Sequence, residues 1–224
     1  MRDDPSLRRE VKYVANEMFF TQVLRWLETS ELGLRKHFPD RLVNNIYYDT
    51  HSFDAYADNV DGISQRSKLR YRWYGPSLIP VNGNVELKRR SNACGTKESY
   101  PVVLDREVAM HFELLQSIRK SVPPEWDALL DFYSEPVVSN RYYRSYYTSS
   151  CRKVRVTLDS QQRVMDQRFF GLINTKWKGN ALPYITVEVK FAPELTNYVS
   201  SMVDEIPMRY SRNSKYINAV NTIR

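Results

Sequence analysis

Charged and apolar residues alternate with a period of two along much of this chain. In SKLRYRWYG, residues 67–75, Lys68, Arg70 and Arg72 fall on one side of an extended backbone, and Leu69, Tyr71 and Trp73 fall on the other. The device recurs. Arg8, Glu10 and Lys12 oppose Val11 and Tyr13 in LRREVKYVA, and Glu86 and Lys88 oppose Val85 and Leu87 in VELKRR. Lys153, Arg155, Thr157 and Asp159 oppose Val154, Val156 and Leu158 in RKVRVTLDS, and Glu188 and Lys190 oppose Val187 and Val189 in YITVEVKFA. Each segment predicts a strand. RLVNNIYYDT and VVSNRYYRSYYTS, rich in β-branched and aromatic residues, predict two more.

Helical spacing fills the gaps. Asn16 is placed to cap a helix carrying Phe20, Val23, Leu24 and Leu27, which is expected to run to about His37 and stop at Pro39. HSFDAYADNVDG predicts a short helix or turn closed by Gly62, and SNACGTKESYP a glycine-containing loop that brings in Lys97. Residues 105–132 read as helical, broken at Pro123 and Pro124; PELTNYVSSMVDEI and NSKYINAVNTI predict the last two helices. There is no linker-like tract and no solenoid repeat, so one domain over 1–224 is expected.

One amphipathic strand is ordinarily a sheet with one face in water. Five of them, with Arg and Lys at adjacent positions of the polar face, predict something more specific. The expected fold is α+β: a closed antiparallel β-barrel tunnel with a charged interior, flanked by α-helices that cover the apolar faces. A charged interior requires water and counter-charge. Guanidinium and ammonium groups suit phosphate oxygens, and scattered carboxylates suit a divalent metal.

Composition agrees. Lys and Arg total 33 against 26 acids, a net charge of +7, which favours anionic partners. Cys94 and Cys151 form no CxxC or zinc-type cluster and read as reduced thiols of a cytoplasmic protein. The amino terminus lacks a signal-peptide run, and no apolar stretch is long enough to predict a membrane span. His37, His51 and His111 lie off the charged strands and read as ordinary helix or loop residues.

The ordered set REVKY, KLRYRWY, VELKRR, GTKESYP, YYRSYY, KVRVTLD, PYITVEVKF and NSKYI resembles the VTC catalytic domain, the polyphosphate polymerase domain of the vacuolar transporter chaperone complex. That family belongs to the CYTH-like triphosphate tunnel metalloenzymes. The resemblance implies transfer of the ATP γ-phosphate to a polyphosphate chain with Mn²⁺ or Mg²⁺. It implies basic substrate-handling roles for Lys12, Arg70, Arg72, Lys88, Lys97, Arg155 and Lys215, and for Arg144 in the Tyr-rich strand, with Arg141 as the alternative register. Lys68, Lys190 and Arg212 are further substrate-binding candidates. Glu188 matches the metal-binding glutamate, with Glu10, Glu86 or Asp159 as partners.

The sequence departs from the tunnel phosphatases in its first strand. Their ExExK pattern has two glutamates; here Arg8 takes the first position and Glu10 alone remains. That weights the expectation toward a polymerase. A metal-dependent triphosphatase or nucleoside triphosphatase stays open as the alternative, as does a non-catalytic polyphosphate-binding module. No nucleic-acid motif is found, although the Tyr-rich strands could stack bases. No phosphate-sensing domain or membrane helix accompanies the domain, so polymer translocation by this chain alone is not expected. Oligomeric state is not legible.

Overall fold

The computed structural model describes residues 9–91, 94–169, 171–179, 181–203, 206, 208–211 and 213–224. Arg8 and Arg212 therefore lie outside the described residues. In chain order the elements are β1 (Arg9–Asn16), α1 (Phe20–Thr29), β2 (Arg35–Asp49), α2 (Asp54–Val60), β3 (Gln65–Tyr74), β4 (Gly83–Ser91), β5 (Cys94–Val102), α3 (His111–Ser121), α4 (Asp127–Phe132), β6 (Glu135–Thr148), β7 (Val154–Asp166), β8 (Tyr184–Phe191), α5 (Thr196–Val203), β9 (Arg209–Tyr210) and α6 (Lys215–Ile223). The class is α+β, with a large antiparallel sheet of nine strands. Its strand order is open, running from β5 to β9.

The chain divides into two compact units. The first draws on Met1–Arg41, Tyr142–Gln162 and Ala181–Asn213. Its core is the apolar side of the alternating strands: Tyr13, Val154, Val156, Leu158, Val187 and Val189, packed with Val23, Trp26 and Leu27 of α1 and Val199 and Val203 of α5. The second unit draws on Leu42–Arg141, Arg163–Asn180 and Ser214–Arg224. There Leu69, Tyr71, Trp73, Val85 and Leu87 are fully buried, as are Leu114 and Ile118 of α3 and Leu130 of α4. Each large apolar side chain so buried contributes about 1.5–3 kcal/mol.

Three expectations are corrected. The first helix ends at Thr29 instead of near His37: the backbone leaves the helix at Ser30, turns through Gly33, whose φ of +57° suits glycine, and re-enters as β2. Pro39 consequently sits in a strand; it precedes the ladder with β3, which begins at Val43, so its missing N–H takes nothing from that ladder. Lys97 lies on a strand instead of a loop: Gly95 obscures an alternation that β5 continues through Tyr100. The helical region after Asp105 starts only at His111. Asn16 does cap, accepting from the Met18 N–H, but the first turn is a 3₁₀ turn over Glu17–Phe19.

In the second unit α6 is anchored through buried polar contacts. Ser214 caps it by accepting from the Ile217 N–H. The Tyr216 hydroxyl donates to Asp49 at the end of β2, and its ring stacks on Tyr47 at 5.2 Å. Asp49 also accepts the Ala55 and Tyr56 N–H groups at 2.8 and 3.0 Å, so one carboxylate ties together the start of α2 and the first turn of α6. Burial pushes that carboxyl up, opposed by these hydrogen bonds.

Candidate functional site

Antiparallel register places the predicted residues in rows, which each unit presents on the face opposite its core. In the second unit Lys68 pairs with Lys88 and Lys88 with Lys97, a row of three ammonium groups across β3, β4 and β5. The next row joins Tyr47, Arg70, Glu86 and Ser99, and the one after it Asn45, Arg72 and Asn84. Glu86 is the carboxylate on this face of β3, β4 and β5. Its Oε2 accepts from Arg70 Nε and Nη2 at 2.7 and 2.5 Å and lies 3.6 Å from Arg72 Nη1; its Oε1 accepts from Lys97 Nζ at 2.5 Å. Burial would raise the Glu86 pKa, but Arg70, Arg72 and Lys97 outweigh it and hold the carboxyl down to about 2.

Two neighbours stiffen this face. Arg72 Nε donates to Asn45 Oδ1 at 2.9 Å, and Asn45 donates to Asn140 Oδ1 at 2.9 Å. Lys68 Nζ donates to Ser214 Oγ at 3.0 Å, so the capping hydroxyl of α6 also orients a lysine of β3. Lys215 is the first residue of α6 and half-buried. Arg141 is elsewhere: its Nε donates to Asn44 at 2.9 Å and its Nη2 to the carbonyls of Gly75 and Pro76. Asn44 pairs with Trp73, on the apolar face, so Arg141 clamps a turn and does not join the cationic rows.

In the first unit one row joins Arg155, Lys190 and Glu10, and the next joins Thr157, Glu188 and Lys12. Charges alternate within it. Lys12 Nζ lies 2.9 Å from Glu10 Oε1 and 3.6 Å from Glu188 Oε2, and Lys190 Nζ lies 2.7 Å from Glu188 Oε1 and 3.4 Å from Glu10 Oε2. Burial opposes both ionised forms. Lys190, Lys12 and Arg144 nevertheless hold Glu188 far below the usual carboxylate range, and Glu188 and Glu10 hold Lys12 above the usual lysine value. Arg144 makes a bidentate pair with Asp159, at 2.6 and 2.7 Å. Despite burial, Asp159 raises the Arg144 pKa well above its ordinary value. Arg155 is exposed.

The donor set constrains a metal. Both oxygens of Glu86 are taken by cations, as are both of Asp159. Among the described residues no three His, Cys, Asp or Glu groups converge. The four oxygens of Glu10 and Glu188 are likewise each paired with Lys12 or Lys190, but two of these pairs are long, at 3.4 and 3.6 Å, so these two carboxylates are the ones that would hold a Mg²⁺-type ion together with water and substrate phosphates, in exchange for the lysines. Beside them the hydroxyl of Thr157, directly across from Glu188, is buried with no hydrogen-bond partner among the described residues.

Sequence reasoning missed Asn45, Asn140 and Ser214. The first two lie in runs read only as strand; the last carried a signal, a Ser directly before a helical run.

The family model for the VTC domain matches residues 7–224. This chain belongs to the VTC domain family. No curated protein matches it. Two solved structures share the fold of this VTC domain. HpAC1 from Hippeastrum, a candidate adenylyl cyclase with a dominant triphosphatase activity, is 17% identical with a TM-score of 0.54, over 96% of this chain and 95% of that one. A candidate adenylate cyclase from Vibrio parahaemolyticus is 14% identical with a TM-score of 0.52, over 95% and 97% of the two chains. Both agree with the α+β class expected from the sequence. Among the described residues no helix is long and apolar enough to cross a membrane.

Proposed function

We propose that this VTC domain is a metal-assisted polyphosphate polymerase that transfers the γ-phosphate of ATP to the end of a polyphosphate chain. The reading includes the closed, charge-lined tunnel expected from the sequence, a single working domain and a cytoplasmic location. The observation that carries it is the charge balance of β3, β4 and β5: Lys68, Arg70, Arg72, Lys88 and Lys97 share a face with Glu86, whose oxygens are already engaged. Such a face is built to hold a polyanion. It offers no carboxylate that could deprotonate water, because Glu86 is held at about 2 by its cationic partners. A terminal phosphate oxygen is already anionic and needs no base, so it is the acceptor this face serves best. In the second unit Arg70 and Arg72 are the groups to grip phosphoryl oxygens, and Lys88, Lys97 and Lys215 those to hold chain phosphates; in the first unit Arg144, Arg155 and Lys12 offer contacts of the same kind. A divalent ion at Glu188 and Glu10 would neutralise phosphate charge.

The second reading is a metal-dependent triphosphatase, favoured by the triphosphatase activity of the Hippeastrum relative. Purified protein with ATP and Mn²⁺, with and without a short polyphosphate primer, separates the two. The polymerase gives ADP and lengthening chains with little free phosphate; the triphosphatase gives free phosphate and no chains.

A further inference from the structure

Two threonines share the charged face of β7 and β8 with Glu188. Thr186 lies two residues before it on β8 and pairs with Asp159 of β7; its hydroxyl accepts from Asn213 Nδ2 at 2.6 Å. Thr157 of β7 stands directly opposite Glu188, and its hydroxyl is buried with no hydrogen-bond partner among the described residues. Asp159, two residues along the same face, is turned to Arg144 through both oxygens. A hydroxyl withdrawn from water and left unpaired destabilises a fold. Valine has nearly the same shape and is an equally good strand former, so folding alone does not account for a threonine at this position.

Directly opposed side chains have Cβ atoms about 4.5–5.5 Å apart, which brings the Thr157 hydroxyl within reach of the Glu188 carboxylate. That carboxylate is turned to lysines. Its Oε1 lies 2.7 Å from Lys190 Nζ, and its Oε2 lies 3.6 Å from Lys12 Nζ, beyond hydrogen-bond length. A divalent cation at Glu188 repels both ammonium groups. The carboxylate then exchanges its lysines for the ion and needs another donor to fix its orientation, as ligating carboxylates ordinarily have. In the row of Thr157, Glu188 and Lys12, the threonine is the uncharged donor that the ion does not repel.

We propose that Thr157 is a positioning residue for the divalent ion: its hydroxyl donates to the Glu188 carboxylate when the ion displaces the lysines, and so sets the affinity of the site for the ion. This rests on the metal reading of Glu188. The hydroxyl is unpaired because its partner becomes available only when the lysines leave.

The test titrates the full chain with Mn²⁺ alone, reading free Mn²⁺ by electron paramagnetic resonance, for the wild type, Thr157→Val, Thr157→Ser and Glu188→Gln. Thermal melts in EDTA run alongside. Thr157→Val should bind Mn²⁺ at least about tenfold more weakly, the loss typical of an outer-shell partner. Its Tm in EDTA should equal or exceed that of the wild type, because no internal hydrogen bond is lost. Thr157→Ser should restore most of the affinity. Unchanged Mn²⁺ affinity in Thr157→Val overturns the positioning role, and so does a lower Tm in EDTA, which would show the hydroxyl bonded within the fold. A wild type that binds no Mn²⁺, or one whose affinity survives Glu188→Gln, overturns the metal reading of Glu188 and the proposal with it.

Discussion

Arg70 donates two N–H groups to a single oxygen of Glu86, at 2.7 and 2.5 Å, and leaves the other oxygen to Lys97. The geometry makes Glu86 a counter-ion that holds a cationic face together before any substrate arrives. Removing its charge takes from Arg70, Arg72 and Lys97 the carboxylate that they share. Glu86→Gln should cost about 1–3 kcal/mol, the lower end reflecting the exposed Lys97 partner. Adding tripolyphosphate should recover more Tm in the variant than in the wild type, because the anion replaces the missing charge. Thermal melts with and without tripolyphosphate measure this; equal recovery in both proteins would contradict it.

The same carboxylate sets an acid limit. Its folded pKa of about 2 lies below its ordinary 4.5, so the stability it contributes is fully present above pH 4.5 and lost as pH falls toward 2. The loss amounts to roughly 3 kcal/mol. Urea midpoints measured from pH 6 to pH 2 should fall more steeply for the wild type than for Glu86→Gln, and the two curves should converge at the acid end.

Glu188 plays a different part, paired with two lysines beside Glu10. Glu188→Gln should lower turnover at least about 100-fold through loss of metal placement. Anion binding should hold or tighten, since Lys12 and Lys190 lose a competing partner. A Kd for polyphosphate measured alongside the rate decides this; parallel loss of both would remove Glu188 from the metal role.

Arg144 and Arg141 are three residues apart on β6 yet face opposite ways. Arg144→Ala leaves Asp159 buried and unpaired and should cost about 3–5 kcal/mol, with Arg144→Lys intermediate. Arg141→Gln should cost about 1 kcal/mol from lost hydrogen bonds to Asn44 and the turn at Gly75. Denaturant titrations of the three variants check the order.

The strands were legible because alternation survives in them: the charged faces of β1, β3, β4, β7 and β8 all follow from period two. β5 was hidden because Gly95 interrupts the pattern and turn residues surround it. The overrun of α1 had the opposite cause, since helix-forming Glu31 and Leu32 continue the pattern past Ser30, where the backbone leaves the helix with ψ at 136°. Identities of cationic residues could be read from the sequence, but their partners could not. That Glu86 is occupied on both oxygens, and that Arg141 turns to the apolar face, depends on cross-strand register, which one sequence does not contain.

The most direct measurement follows the label of γ-³²P-ATP with the full chain, Mn²⁺ and a polyphosphate primer. The account predicts label incorporated at chain ends, with ADP formed in equal amount and little labelled orthophosphate. Label released entirely as orthophosphate, with primer length unchanged, would contradict it.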